Sequence, residues 1–390
     1  MSFDALWSTL APIGRAASGG YRRFAWTDED LTLRDWFAAE CAARGLDVVA
    51  DRAGNQWAWW GDPDATPGVV TGSHLDSVPD GGAFDGPLGV VSALLAVDAL
   101  RAKGFRPSRP IGVVNFRDEE GARFGVACGG SRIVTGALSA DRALALRDAD
   151  GTSMGEAMRA AGHDDDALGR DDETLRRIGT FVELHVEQGR GLVDLDRPVA
   201  VASSIWPHGR WRLDLAGEAN HAGTTRLEDR RDPMLALAAA ITRARSSAAQ
   251  RGCVATIGKV RVEPNGVNAI PSQVTAWLDA RGPVEQNVHA VAAAVADAVG
   301  VDAVAESFTA TTNFPDDLAK RLAALLGDAP VLATGAGHDA GILATAGVPS
   351  AMLFVRNPTG VSHSPAEYAE TADCSAGIEA LTTVLEDLAQ

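Results

Sequence analysis

Separate stretches of the chain place histidines and carboxylates directly after apolar runs that are typical of β-strands. The first stretch, TGSHLDSVPDGGAFDG at residues 71–86, carries His74, Asp76 and Asp85. Its glycines allow the backbone to turn tightly enough to bring Asp85 back toward His74. Reactive groups in open α/β sheets gather beyond the carboxyl ends of strands. The stretch therefore predicts part of a catalytic or metal-binding site, with a polar surface turn as the plainer alternative.

Two further stretches add acids and a second histidine. IGVVNFRDEEGARFG puts Glu119 and Glu120 at a strand end. Consecutive side chains there point apart, so Glu120 can bind a metal while Glu119 acts as a general base. FVELHVEQG alternates apolar and polar residues, with His185 on the polar face and Gln188 just beyond the strand, where its amide can reach a ligand. A charged strand end and a satisfied core histidine are the structural alternatives.

A third histidine, His363, follows another apolar strand. Three histidines and at least two carboxylates on one sheet edge indicate a two-metal hydrolytic centre. Such a centre needs a bridging carboxylate, further N or O ligands on each ion, and a water whose pKa the ions lower. The predicted ligands are Asp85 as the bridge, His74 and His185 on one ion, and Glu120 and His363 on the other.

The ligand types limit the choice of metal. Imidazole and carboxylate without thiolate suit Zn, Mn, Co and Ni about equally. We expect two divalent ions per subunit, with zinc first and manganese, cobalt or nickel as alternatives. A serine hydrolase is a weaker alternative, because no GxSxG elbow surrounds Ser73.

A sheet must bring these strand ends together. The order of a strand at Val69–Gly72, a helix at Leu88–Lys103 and a strand at Ile111–Phe116 is a βαβ pattern. It predicts a mainly parallel sheet covered by helices. Further predicted elements are strands at Thr180–Val186 and Ala351–Val355 and helices near Ser153–Ala161, Leu318–Leu326 and Ser375–Leu388.

Between about Gly209 and Thr312 the order becomes strand-helix-strand-strand-helix-strand, which predicts an inserted α+β unit. Its predicted elements are strands at Trp211–Leu215, Val254–Val262 and Val274–Arg281 and helices at Asp232–Ser247 and Val284–Val299. The predicted fold class is α/β. A catalytic domain with a mostly parallel, helix-covered sheet occupies residues 1–208 and 313–390, and a smaller ferredoxin-like α+β domain occupies residues 209–312.

Composition excludes several classes of protein. The 390 residues, 46% hydrophobic and 22% charged, are typical of a soluble globular protein. A net charge of -17 disfavours nucleic acid and anionic membranes as partners. No apolar run approaches the roughly 20 residues of a membrane span. Because the start lacks a signal-peptide pattern and the four cysteines lack paired spacing, we expect a cytoplasmic protein without disulfides.

Taken together, the motifs resemble those of the di-metal aminoacylase and carboxypeptidase-type peptidase superfamily. Within it they are most similar to the hydantoinase/carbamoylase amidase branch, which holds N-carbamoyl-L-amino acid hydrolases, yeast-type β-ureidopropionases and allantoate amidohydrolases. The resemblance spans nearly the whole chain and is carried by GSHLDSVPDGGAFDGPLGV, DEEGARFG, ELHVEQG, GEANHAGTT, PNGVNAIPSQV, LDAR, GAGHDAG and GVSHSPAE. It implies a metal-dependent exopeptidase-like catalytic domain and an inserted lid and dimerisation domain. It also implies the same five metal ligands, with Asp76 orienting a ligand and Glu119 as the base.

The resemblance further implies a substrate-binding set made of Gln188, His221, Asn268 and Arg281. Arg281 would hold a substrate carboxylate as a fork, and Asn268 would share that anion or the adjacent amide. His221 would donate to the developing oxyanion. In relatives His221 reaches the active site of the other subunit, which implies a homodimer joined through the inserted domain.

The implied function is a metal-dependent amidohydrolase that cleaves a linear amide or ureido C–N bond in a small carboxylated substrate. An N-carbamoyl-L-amino acid or allantoate is expected, with release of ammonia and carbon dioxide. The alternatives are an N-acyl-amino acid deacylase or dipeptidase with the same centre, and a non-catalytic binding protein, against which the intact Glu119 argues. Departures from the family pattern at residues 225–227, Arg356 and Asn357 leave the substrate open, and His338 and Asp339 are expected to line the cleft.

Overall fold

The computed structural model describes residues 2–390. Its α-helices are α1 Phe3–Leu10, α2 Asp28–Ala43, α3 Pro87–Ala102, α4 Gly129–Thr135, α5 Ala140–Ala145, α6 Met154–Ala160, α7 Asp172–Arg176, α8 Gly191–Asp194, α9 Pro233–Arg251, α10 Glu285–Val299, α11 Asp316–Leu325, α12 Asp339–Thr345 and α13 Thr371–Leu388. Its strands are β1 Asp47–Ala50, β2 Gln56–Trp60, β3 Gly68–His74, β4 Ile111–Phe116, β5 Ile178–Val186, β6 Val199–Ile205, β7 His208–Ala216, β8 Asn220–His221, β9 Val254–Glu263, β10 Ala269–Ile270, β11 Gln273–Arg281, β12 Val304–Thr309, β13 Thr312–Asn313, β14 Val331–Thr334 and β15 Ser350–Val355.

The chain folds as two compact units, one of residues up to Ser203 together with Asn313–Gln390 and one of Ser204–Thr312. The first unit contains a nine-stranded sheet in the order β1-β2-β4-β3-β5-β15-β6-β13, with β14 paired to β6. Strands β4, β3, β5 and β15 are parallel. The flanking strands β1, β2 and β6 join antiparallel. The predicted α/β class with a mostly parallel central sheet is confirmed, and its antiparallel edges were not predicted.

Helices bury the central strands, and this explains their continuous apolar sequences. Strands β3, β4 and β15 are buried along their whole length. Helices α3 and α13 pack on each other and on β3, β5 and β15, while α12 packs on β5 and β15. Because the parallel strands end at one edge, the residues that follow them meet there.

The second unit is a four-stranded antiparallel sheet in the order β12-β7-β11-β9, with α9 and α10 packed on it. Its order of elements, β7-α9-β9-β11-α10-β12, is the predicted one. Alternating residues of β7 and β11, such as Leu213 and Leu278, form its core with the helices. A separate pair of short strands, β8 and β10, also belongs to this unit.

Several elements were not predicted from the sequence. No element was assigned before Val69, whereas the structure has α1, α2, β1 and β2 there.

All four cysteines are free and buried. Across residues 2–390, no helix combines the length and apolar character needed to cross a membrane.

Candidate metal centre

Three buried side chains meet beyond the ends of β3 and β5. His74 ends β3, His185 lies near the end of β5, and Asp85 lies on the loop between β3 and α3. Asp85 Oδ1 lies 3.2 Å from Nε2 of His185 and 3.7 Å from Nε2 of His74. Ligand atoms about 2.0–2.2 Å from a tetrahedral ion lie roughly 3.3–3.6 Å apart. The spacing of this trio therefore fits one cation.

A second trio uses the other oxygen of Asp85. His363 Nε2 lies 3.4 Å from Asp85 Oδ2 and 3.6 Å from Glu120 Oε2. His363 follows β15 in the left-handed region at φ 54°. Its side chain is 52% exposed, whereas Asp85 and Glu120 are nearly enclosed. The two trios share Asp85 and differ in their access to solvent.

The histidines of the first trio have the hydrogen bonding of metal ligands. Nδ1 of His185 lies 2.9 Å from the carbonyl oxygen of Val186, and Nδ1 of His74 lies 3.2 Å from that of Asp76. These contacts leave each Nε2 pointing toward Asp85. Both Nε2 atoms are buried without a hydrogen-bond partner among residues 2–390. Buried orphan nitrogens of this kind fit a bound divalent cation.

Asp76 ties the two loops of the site together. Its carboxylate accepts backbone hydrogen bonds from Glu119 (3.1 Å) and Glu120 (3.0 Å). Its Oδ1 also lies 3.4 Å from Nδ1 of His74. One buried carboxylate thus contacts His74 and fixes the backbone of both glutamates.

Glu119 and Glu120 lie on the loop after β4, beyond the strand end at which they were predicted, and their carboxylates lie next to different histidines. Glu119 Oε2 lies 3.6 Å from Nε2 of His74, and Glu120 Oε2 lies by His363. The thiol of Cys128 donates to Glu119 Oε1 at 3.2 Å. Burial, together with the nearby Asp339 and Glu120, raises the pKa of Glu119 well above its ordinary value. A carboxyl group with a raised pKa suits the role of a general base that later returns the proton.

Burial and neighbouring charges shift the pKa values of Asp85, Glu120 and His363. Burial opposes ionisation of Asp85, but the imidazoles of His185 and His363 outweigh it and hold its pKa well below the ordinary value. Burial and the charge of Asp85 raise the pKa of Glu120 to about 7. The contact with Asp85 raises the pKa of His363 to about 9.

Glu367, which the sequence analysis gave no role, anchors the Asp85 loop. Its Oε1 accepts from the backbone N–H of Phe84 (2.8 Å) and Asp85 (2.9 Å). Its Oε2 accepts from Ser362 Oγ at 2.8 Å. Gln188 Nε2 completes this network by donating to Asp85 Oδ2 at 2.9 Å. Glu367 is the last residue of the GVSHSPAE motif, but the motif does not indicate that its side chain binds the backbone of Phe84 and Asp85.

A second group of buried polar side chains lies behind His185. Glu183 accepts from Ser73 Oγ at 2.8 Å and from the backbone N–H of Ala340 at 3.0 Å. His338 contacts His185 edge to face, with ring centroids 4.5 Å apart. Burial lowers the pKa of His338 well below its ordinary value, so this ring is neutral. Ser73 is therefore a hydrogen-bond donor to a buried acid, which argues against a role for it as a nucleophile.

The chain does carry one GxSxG sequence, at residues 151–155, away from Ser73. Its Ser153 is the N-cap of α6 and forms a capping box with Glu156. A serine engaged in this way stabilises a helix end and has no histidine partner in the structure.

The departures at Arg356 and Asn357 shape the loop that carries His363. Arg356 forms a bidentate ion pair with the buried Asp373, at 2.8 and 3.0 Å. Asn357 is fully buried and accepts hydrogen bonds from the backbone of Thr359 and Gly360. The polar groups of both side chains thus form hydrogen bonds within the protein.

The remaining predicted residues belong to the second unit. His221 on β8 is paired with Ala269 on β10, and Asn268 accepts from the backbone of the residue after His221, so these two segments are adjacent. Arg281 ends β11, and its guanidinium donates to both oxygens of Asp279, at 2.7 and 3.1 Å. His221 is exposed.

The chain is similar to known proteins over nearly its whole length. The chain is 38% identical to an N-carbamoyl-L-amino acid amidohydrolase of Geobacillus stearothermophilus, over 99% of this chain and 98% of the relative. It is 34% identical to an allantoate amidohydrolase of Bacillus subtilis, over 97% and 95%. The crystal structure of a hydantoinase/carbamoylase-family amidase from Burkholderia vietnamiensis, 30% identical, superposes with a TM-score of 0.89 over 100% of this chain and 97% of that one. The model of Peptidase family M20/M25/M40 matches residues 70–387, and this chain belongs to that family.

Proposed function

We propose that the protein is a metal-dependent amidohydrolase that cleaves a linear amide or ureido C–N bond in a small carboxylated substrate. An N-carbamoyl-L-amino acid or allantoate is the substrate we favour, and hydrolysis of its carbamoyl group would release ammonia and carbon dioxide. The observation that carries the proposal is the pair of ligand trios that share Asp85. The similarity to amidohydrolases of both substrates, over nearly the whole chain, supports it.

In this proposal the five ligands are those predicted from the sequence. One ion is held by His74, Asp85 and His185, and the second by Asp85, Glu120 and His363. Two divalent cations in these positions would polarise the scissile carbonyl and lower the pKa of an attacking water. Zinc is our first expectation, and manganese, cobalt and nickel suit the same donors.

Glu119 is the proposed general base. Its carboxylate lies beside the first trio but coordinates neither proposed ion, and it is 6% exposed. It would take a proton from the attacking water and pass it to the leaving nitrogen. Its backbone N–H donates to the Asp76 carboxylate and its Oε1 accepts from the Cys128 thiol, which leaves Oε2 facing the site.

The substrate groups remain a proposal based on resemblance. Gln188 lies against Asp85 and can orient the substrate beside the metals. Arg281 would bind the substrate carboxylate, and its two hydrogen bonds to Asp279 would fix the orientation of the guanidinium. His221 would donate to the oxyanion and Asn268 to the anion or adjacent amide. The second unit would then act as a lid over the first, which we propose as the catalytic domain.

A homodimer formed through the second unit is also proposed. Strand β9 ends the sheet, so one of its edges has no neighbouring strand in the described chain. Val254 and Val260 on β9 are 57% and 40% exposed, and Leu235 on α9 is 72% exposed. An exposed edge strand that carries apolar side chains can pair with a second copy. A cytoplasmic location is proposed from the four buried, unpaired cysteines.

Ammonia release tests the reaction directly. The protein is assayed for ammonia release with allantoate and N-carbamoyl amino acids, and for newly formed free amino groups with N-acetyl amino acids and dipeptides, with Zn, Mn, Co and Ni supplied in turn. Turnover of a carbamoyl compound or allantoate above the others is expected. Preference for the acyl or peptide substrates would make the protein a deacylase or dipeptidase.

Glu119→Gln is the matched control for this assay. It should bind metal like the wild type and lose about 10²–10⁴-fold in kcat. Full activity in this variant would remove the general-base assignment.

A further inference from the structure

The loop between β3 and α3 carries both Asp76 and Asp85. We call residues 75–86 the metal loop and residues 3–23 the N-terminal segment. The first 69 residues lie outside the range that the family model matches. The N-terminal segment nevertheless contacts the metal loop at several points along its length.

Backbone hydrogen bonds join the two segments. Tyr21 N–H donates to the carbonyl oxygen of Gly81 at 3.1 Å, and Gly81 N–H donates to that of Tyr21 at 3.3 Å. Ser77 N–H donates to the carbonyl oxygen of Arg23 at 3.0 Å, and Arg23 N–H donates to Ser77 Oγ at 3.0 Å. Four polar groups of the metal loop are thus satisfied by the N-terminal segment.

Gly20 packs directly against the backbone of the metal loop. A Cβ placed on Gly20 would lie 2.5 Å from the carbonyl oxygen of Asp80 and 2.9 Å from that of Gly81. The neighbouring Arg22 pairs with Asp80 at 2.8 Å, on the exposed side of the contact. A side chain at position 20 would therefore push the metal loop away from the N-terminal segment.

An aromatic stack reaches the residue next to Asp85. The ring of Phe84 lies on that of Trp7, with centroids 4.9 Å apart and planes inclined by 25°. Trp7 in turn stacks on Phe3 at 5.0 Å. The backbone N–H of Phe84 is held from another side by Glu367. Phe84 is therefore fixed through both its ring and its backbone.

The N-terminal segment is itself firmly anchored. Arg23 is 2% exposed, and its guanidinium donates to the carbonyl oxygens of Leu10 (3.1 Å) and Ile13 (2.9 Å) at the end of α1. The same guanidinium lies 4.0 Å from the centre of the Tyr21 ring. Leu6 and Leu10 are buried in the main core. A rigid support of this kind can hold a ligand loop in place.

We infer that the N-terminal segment positions the metal loop, through the Trp7–Phe84 stack and the Gly20–Asp80 contact, and so sets the affinity of the centre for divalent metal. Trp7 and Gly20 are positioning residues in this inference. It rests on the metal ligands proposed above. Groups that orient metal ligands from outside the coordination sphere typically change metal affinity about 10–100-fold.

The test measures Zn²⁺ affinity by competition with a chromophoric chelator, for wild type and four variants. Trp7→Ala and Gly20→Ala should each weaken binding at least about tenfold. Trp7→Phe keeps an aromatic stack and should stay within about threefold of wild type. Trp36→Ala is the matched control, because Trp36 is also partly buried against the main core and bonds α1 at Thr9. It too should stay within about threefold.

Thermal unfolding of the metal-free proteins accompanies the titrations. If Trp7→Ala fails to fold, Gly20→Ala decides the question. Affinities of Trp7→Ala or Gly20→Ala equal to that of Trp36→Ala, with wild type binding zinc normally, would overturn the inference and leave the proposed function standing. A wild-type protein that binds no divalent metal would overturn both.

Discussion

Glu367 joins the loop before Asp85 to the loop that carries His363, and the effect of removing it can be worked out from its contacts. Its side chain is 5% exposed and accepts three hydrogen bonds, from Phe84 N–H, Asp85 N–H and Ser362 Oγ. Glu367→Ala leaves two backbone N–H groups without an acceptor, at about 1–3 kcal/mol each. The lost methylene adds about 0.8 kcal/mol. We expect the free energy of unfolding to fall by about 3–7 kcal/mol.

Urea unfolding of the metal-free protein, followed by circular dichroism with chelator present, measures this change. Glu367→Gln keeps an acceptor for both N–H groups and should lose only about 1 kcal/mol. Glu386→Ala on α13 is the matched control, since Glu386 forms an exposed pair with Lys103 and should change the free energy by less than about 1 kcal/mol. A loss below 1 kcal/mol in Glu367→Ala would refute the claim that Glu367 supports the Asp85 loop.

Three further predictions concern substrate, pH and assembly. Arg281→Ala should raise KM for carboxylated substrates at least about tenfold with a smaller change in kcat, whereas Arg210→Ala, which also contacts Asp279, should not. An unchanged KM in Arg281→Ala would mean that another residue binds the substrate carboxylate. Metal ligands must be deprotonated, and the pKa of His363 is about 9 and that of Glu120 about 7 in the metal-free protein. Metal affinity should therefore rise as pH increases from 6 to 9, and fewer protons should be released on binding as the pH rises through this range. Calorimetry in buffers of different ionisation enthalpy measures the release, and a pH-independent affinity would contradict it. Val260→Asp on β9 should convert a dimer to a monomer in sedimentation analysis, while Val304→Asp, 44% exposed on β12 at the other edge of the sheet, should not. Dimers that persist in Val260→Asp would exclude the β9 edge as the interface.

The sequence predicted the parts of the fold that local pattern determines. Strand β4 was predicted at its observed bounds, and β3, β5 and β15 within two residues, because their apolar runs end at polar loops. The predicted ligands followed from those strand ends, since parallel strands carry their carboxyl ends to one edge. The structure brings Asp85, His185 and His363 together accordingly.

The remaining features depend on contacts between residues distant in sequence. Glu367 lies 282 residues from Asp85, whose backbone it holds, and a lone glutamate in a loop gives no sign of such a partner. Helix α1 contacts the loop that carries Asp85 through the stacking of Trp7 on Phe84, and no hydrophobic periodicity in the local sequence indicates this contact. The antiparallel strands β1 and β2 are short, and the pairing of β1 with β2 and of β2 with β4 is set by tertiary packing.

The metal content of purified protein tests most directly whether Asp85 serves two ions. Elemental analysis after loading and desalting should give two divalent ions per wild-type chain, one in His363→Ala and none in Asp85→Ala. Asp85→Ala that keeps an ion at wild-type affinity, or a wild-type chain that holds none, would contradict the shared centre.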